Sequence, residues 1–147
     1  MANYISTWRT NYFRVKDEPA FRDFIERVGD VELVERADNS GVFALIEGPD
    51  GDGGAPLHML GDTEDPENSD TWRYFNDHIP PFECFLADHL ARGEVAILME
   101  SGHEKLRYVS GYATAIRSDG EILSISLSLI YDAVEREWGI IPTRAEY

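Results

Sequence analysis

Residues 95–125 read VAILMESGHEKLRYVSGYATAIRSDGEILSI, and this stretch decides the fold. The compact apolar run Val95–Glu100 predicts one strand, and Leu106–Arg117 predicts a longer one. The sequence Ser118-Asp119-Gly120 is a typical hairpin turn, because glycine adopts the positive φ that such turns require. Residues Glu121–Ile125 then return as a third strand. The stretch therefore predicts an antiparallel meander.

Helices are predicted where apolar residues recur every three or four positions. The first helix begins after Asp17, a residue type favoured as an N-cap, and has Pro19 in its first turn. Its apolar stripe consists of Phe21, Phe24, Ile25 and Val28. A second helix carries Phe82, Phe85, Leu86, His89 and Leu90, and a third carries Leu127, Ile130, Tyr131, Val134 and Trp138. Residues 71–77 favour a further short helix.

The remaining strands lie in the first half of the chain. Residues Tyr12–Val15 favour a strand, and the start of this predicted strand could be as early as Tyr4. Val31–Arg36 and Val42–Glu47 flank a turn and predict a hairpin. We therefore expect a single α+β domain over residues 1–147, with a mainly antiparallel sheet of about six strands and about three helices packed on one face.

Composition excludes several classes of protein. The chain has 147 residues, one cysteine and a net charge of −15, from 28 acids against 13 Lys and Arg. A single cysteine allows no internal disulfide framework, and no apolar run reaches the length of a membrane span. The N-terminus lacks the features of a secretory signal, so we expect a cytoplasmic protein. So negative a chain repels nucleic acid and anionic membranes, and neither is expected as a partner.

About half of that charge is concentrated in one stretch, residues 49–70, which we call the acidic segment. It is rich in Gly, Pro, Asp and Asn, and it contains seven acids and no base. Loops this long are usually functional or disordered. We expect its acids to attract a basic partner over a long range. These predicted partner-binding residues are Asp50, Asp52, Asp62, Glu64, Asp65, Glu67 and Asp70.

Chemistry-bearing residues are few, and we predict no catalytic residues, no metal site and no cofactor. Cys84 and His89 are five positions apart on a helix and do not share a face, so Cys84 is expected to be a buried structural residue. The histidines lack metal-ligand spacing. A cluster of His103, Glu104 and Arg107 near a turn predicted at 101–104 could form a small acid–base or ligand site.

Three short stretches lie on both sides of the acidic segment: NYFRVKD at 11–17, EKLRY at 104–108 with GYA at 111–113, and TRAEY at 143–147. In these stretches the chain resembles small, acidic, uncharacterised bacterial proteins of plasmids and mobile elements, a group with no established activity. The resemblance implies a context in which small acidic proteins often inhibit host defence enzymes that grip nucleic acid.

The leading functional hypothesis is a non-enzymatic acidic binding protein that inhibits a basic, nucleic-acid-handling partner, of the antirestriction, anti-CRISPR or immunity type. One alternative is a small enzyme or ligand-binding domain with its site near His103. Another is a housekeeping protein whose acidity reflects a salt-adapted cell, since only two lysines occur.

Overall fold

A computed structural model describes residues 4–49, 54–55, 82–104 and 108–145. Within these residues the chain forms seven strands: β1 (Tyr4–Thr10), β2 (Phe13–Arg14), β3 (Val31–Glu35), β4 (Val42–Glu47), β5 (Val95–Glu104), β6 (Tyr108–Arg117) and β7 (Ile122–Ser126). It also forms three helices: α1 (Glu18–Val28), α2 (Phe82–His89) and α3 (Leu129–Trp138). The short helix predicted at 71–77 lies outside the described residues.

All seven strands join one antiparallel sheet in the order β2-β4-β1-β5-β6-β7, with β3 paired to the other side of β4. Strands β5, β6 and β7 follow one another in the sheet as well as along the chain, so the predicted meander is confirmed. The predicted β3–β4 hairpin is also confirmed. The chain is an α+β domain with a mainly antiparallel sheet.

The first predicted strand is divided in two by side-chain hydrogen bonds. The Leu45 N–H donates to the hydroxyl of Thr10 at 2.8 Å, where a continuous strand would offer a main-chain carbonyl. Beyond it, Asn11 accepts from the Ile97 N–H at 2.7 Å and donates to the Val95 carbonyl at 3.1 Å. Its amide side chain thus replaces one residue of the β1–β5 ladder and lets the chain turn towards β2.

Helices α1 and α2 pack together on one face of the sheet and form the core. The Asp17 side chain caps α1 by accepting from the Ala20 N–H at 3.0 Å, and the four predicted stripe residues of α1 are all buried. At the centre, the Phe24 ring stacks on Phe82 and on His89, with centroids 5.8 and 4.6 Å apart. The predicted packing on one face therefore holds for these two helices.

Helix α3 differs, because none of its residues is buried. Its position was predicted, and Gly139 ends it in the left-handed conformation with φ of 66°. However, Ile130 and Trp138 of the predicted apolar stripe remain 60% and 72% exposed. The residues after the helix fold back on it, since the Ala145 N–H donates to the Tyr131 hydroxyl at 2.7 Å. The helix is amphipathic, and its own domain covers only part of its apolar side, since Tyr131 and Val134 are half-buried.

Two further sequence predictions are wrong. The turn predicted at 101–104 is a strand, because β5 continues to Glu104 and pairs there with Tyr4 on one side and Tyr108 on the other. Cys84 is exposed rather than buried. It lies on α2 away from the core, while Phe82 and Leu86 of the same helix are fully buried.

Candidate functional site

The predicted partner-binding acids all lie outside the described residues, as the acidic segment is described only at Pro49 and at 54–55. The described residues show where that segment begins and one point at which it contacts the domain. It begins just after Gly48, whose N–H donates to the Asp30 carbonyl at 2.8 Å. Within the segment, the Ala55 N–H donates to Glu100 Oε2 at 2.8 Å. The chain is described again from Phe82, which is fully buried.

Several arginines of the described surface are paired with neighbouring carboxylates. Arg22, Arg36, Arg117 and Arg136 each form an ion pair with a nearby carboxylate. Hydrogen bonding to Arg117 lowers the pKa of Asp119 to about 2, so this carboxyl stays charged at any ordinary pH. These arginines are therefore largely neutralised by their neighbours.

Two residues of the predicted cluster around His103 do not share a face of the sheet. His103 and Glu104 are consecutive residues of β5, and successive side chains of a strand point to opposite faces. His103 is exposed on the face away from the helices, and Arg107 lies outside the described residues. On the helix side, Glu100 is engaged by the Tyr112 hydroxyl at 2.7 Å.

Cys84 and His89 likewise form no nucleophile–base pair. Cys84 is exposed, whereas His89 is half-buried against the rings of Phe21 and Phe24. Burial lowers the pKa of His89, and the charge of Lys16 acts in the same direction. His89 therefore behaves as a neutral member of the core. Among the described residues, no group of histidine, cysteine and acidic side chains is arranged to hold a metal ion.

A different site, which the sequence reasoning missed, lies on the sheet face opposite the helices. It is a groove of about 950 Å³ that crosses β4, β1, β5, β6 and β7. Along its floor, the small residues Thr7, Ser101 and Gly111 stand next to one another across three strands. The neighbouring row contains Ile46, Arg9, Met99, Ala113 and Ile125.

Leu127 closes one end of the groove by lying over Gly111. A Cβ atom built on Gly111 would come within 3.0 Å of Leu127 Cδ1, so glycine is what allows this approach. The other end reaches Pro49, where the acidic segment begins. The groove is therefore bounded by Pro49, the first residue of the acidic segment, and by Leu127, which precedes α3.

One signal in the sequence could have indicated this groove. The run VAILM at 95–99 is apolar at every position, a pattern typical of strands covered on both faces. Ala96 and Leu98 are buried under the helices, while Ile97 and Met99 face the groove side and are exposed. The pattern predicts a strand, and its alternate positions also indicate a second apolar face of the sheet.

No family model matches this chain, and comparisons with curated protein sequences and with solved structures likewise returned no match. In the part of the chain that the structure describes, every helix is too short or too polar to cross a bilayer.

Proposed function

We propose that this chain is a non-enzymatic, cytoplasmic binding protein that docks on a basic, nucleic-acid-handling partner and inhibits it, in the manner of antirestriction, anti-CRISPR or immunity proteins. The observation that carries the proposal is the acidic segment, with seven acids and no base between residues 49 and 70. A partner built to hold a polyanion presents clustered Lys and Arg side chains. Such a surface would be steered towards the acidic segment.

The charges of the described residues support this assignment. Four arginines are paired with neighbouring acids, so these four are not free to neutralise the segment. Steering of this kind acts at a distance of about a Debye length and needs no preformed pocket. It raises the association rate and therefore weakens as salt is added.

The anchoring of the segment also supports a role in binding. Gly48, which precedes it, is tied to the Asp30 carbonyl, and Ala55 within it is tied to Glu100, both at 2.8 Å. The segment therefore begins at the domain surface and contacts the domain again at Ala55. A partner that is drawn in by charge consequently meets the domain surface next to Pro49.

Capture from a lysate of the source cells tests the proposal at about 50 and about 500 mM salt, a range over which exposed electrostatics fade. We expect a basic nucleic-acid-binding protein to be held at low salt and released at high salt. Adding the pure chain to that partner should then reduce its nucleic-acid cleavage or binding.

The variant that identifies the segment carries Asp62→Lys, Glu64→Lys and Asp65→Lys, which should weaken capture at least tenfold. A matched control reverses three exposed acids of the domain, Asp23, Glu26 and Glu32, and changes the net charge equally. Equal losses of capture in both variants would show that only the net charge matters, and would contradict the assignment to the acidic segment. Salt adaptation alone predicts no capture at either salt concentration and a loss of stability when salt is removed.

A further inference from the structure

Two features of the domain are left apolar and uncovered. One is the groove face of β5, β6 and β7, where Met99 and Ile125 are 59% and 65% exposed. The other is α3, whose ten residues include none that is buried. An isolated helix of this length is only marginally stable in water, so its stability has to come from packing of its apolar side. Within the described residues, Tyr131 and Val134 of the apolar stripe are half-buried, but Ile130 and Trp138 remain exposed.

We propose that a second copy of this chain supplies the missing packing. In this arrangement α3 of each copy lies in the groove of the other, and the two copies are related by a two-fold axis. Both the groove and the helix are present in every chain, so the exchange is reciprocal and closes at two subunits. The partner helix would also cover β7, an edge strand whose five residues are all exposed.

The sizes of the two features match. The groove crosses five strands, which at about 4.8 Å between neighbours span about 19 Å. A helix of ten residues is about 15 Å long and about 10 Å across, which corresponds to roughly 1,200 Å³. A groove of about 950 Å³ therefore accommodates most of its apolar side. The small residues Thr7 and Ser101 on the groove floor let a helix approach the sheet closely, whereas Gly111 is covered by Leu127 of the same chain.

The charges of the two features also match. Arg9 lines the groove, and among the described residues its guanidinium is bonded only to the carbonyl of the adjacent Thr10, at 3.3 Å. Glu135 borders the apolar stripe of α3 one position after Val134, and no described basic side chain pairs with it. Seating α3 in the groove would bring the Arg9 guanidinium of one copy towards the Glu135 carboxylate of the other.

A second copy is favoured over the basic partner of the previous section, because this face carries almost none of the chain's acids. The outward residues of the meander include the apolar side chains Ile97, Met99, Ala115, Leu123 and Ile125, and two acids, Glu47 and Glu100, line the groove. Two chains of net charge −15 can thus meet there with few acids against one another. The seven large apolar side chains on this face and on α3 expose roughly 800 Å² per subunit, which is the area that each partner of a standard interface buries. These side chains are Ile97, Met99, Leu123, Ile125, Leu127, Ile130 and Trp138.

Sedimentation velocity of the full chain tests the proposal from about 1 to about 100 µM, since dimer formation follows mass action. We expect a species of twice 16.7 kDa. Ile130→Asp in α3 and Ile125→Asp in the groove should each raise the dimer dissociation constant at least tenfold. Arg136→Ala is the matched control, because Arg136 lies on the polar side of α3 and should leave that constant unchanged.

The charge pair gives a test that does not depend on apolar side chains. Arg9→Glu or Glu135→Arg alone should weaken the dimer several-fold, and the two together should restore it. A chain that stays monomeric up to the highest concentration overturns the proposal, whether or not it binds another protein. A dimer that is unaffected by Ile130→Asp, Ile125→Asp and the charge exchange overturns it as well.

This result is separable from the test of the acidic segment. Raising the salt concentration reduces the repulsion between two acidic copies, so the dimer should persist or tighten at about 500 mM salt, where capture of a basic partner fades. The monomeric variants keep the acidic segment and should still capture that partner.

Discussion

Replacing Gly48 by alanine should destabilise the domain strongly, because this glycine is pressed against backbone rather than side chains. A Cβ atom at this position would lie 2.7 Å from the carbonyl carbon of Asp30 and 2.8 Å from its oxygen, distances that real Cβ atoms essentially never show. Asp30 cannot readily yield, since it already has a φ of 49° and follows Gly29, also at positive φ. The N–H of Gly48 moreover donates to that same carbonyl at 2.8 Å.

The expected loss of stability has two parts, the clash of the new Cβ atom and the lost hydrogen bond. Forcing one extra carbon into a tight contact typically costs about 1–3 kcal/mol, and losing the hydrogen bond adds about 1 kcal/mol. A total of about 2–4 kcal/mol should lower the Tm by roughly 5–15 °C in a domain of this size. Thermal and urea unfolding measure both quantities. Gly54→Ala is the control, because a Cβ atom there meets nothing within 4 Å. A Gly48→Ala variant that melts with the wild type, or no lower than Gly54→Ala, would refute the reasoning.

Three further substitutions test the core. Thr10→Val removes the hydroxyl that accepts from the buried Leu45 N–H at 2.8 Å, and should cost about 1–3 kcal/mol of stability. Thr10→Ser keeps a hydroxyl and should cost less. Equal losses of stability in urea titrations would contradict this. Phe21→Ala should cost about 3–5 kcal/mol and Phe85→Ala, at a half-buried position, clearly less; the reverse order in thermal melts would show that the core is misplaced. Because burial lowers the pKa of His89, its stabilising contribution is present above 6.5 and is lost as the pH falls through the folded pKa. His89→Phe should therefore reduce the change of the urea midpoint with pH between about pH 7 and pH 5.5. A pH dependence of the midpoint like that of the wild type would be evidence against a buried neutral imidazole.

Elements whose chemistry is local could be predicted from the sequence. The cap at Asp17 and the stripe that begins at Phe21 both lie within one helix, and the structure places them as expected. The β3–β4 hairpin and the turn at 118–120 were likewise predictable, since Gly120 takes a φ of 89° that favours glycine. These features depend on residues a few positions apart, which a sequence pattern reports directly.

Elements that depend on distant residues could not be predicted in the same way. The break after Thr10 is stabilised by Asn11, whose partners Val95 and Ile97 are more than 80 positions away. The sequence around His103 favours a turn by its composition, yet β5 continues there because β1 and β6 pair with it on both sides. Neighbouring strands override local propensity in the centre of a sheet, and for that reason the segment predicted as a turn is a strand.

The acidic segment was recognisable from composition alone, because charge needs no fold to act at a distance. The groove required the strand register, which brings Thr7, Ser101 and Gly111 into one row although they are far apart in the chain. The two surfaces thus differ in what the sequence reveals about them. The acidic segment is recognised by counting charged residues, whereas the groove is recognised only when the register of the strands is known.

The apolar pattern of α3 and of the run at 95–99 is typical of elements whose apolar side packs against another surface. The chain is strongly acidic, yet Ile97 and Met99 face solvent from the middle of the sheet, and Ile130 and Trp138 do so from α3. Exposed side chains of this kind gain nothing from folding within one chain, because they remain in water. The association of two copies proposed above would remove them from water. It would use the groove, which carries Arg9, and an amphipathic helix that matches the groove in length.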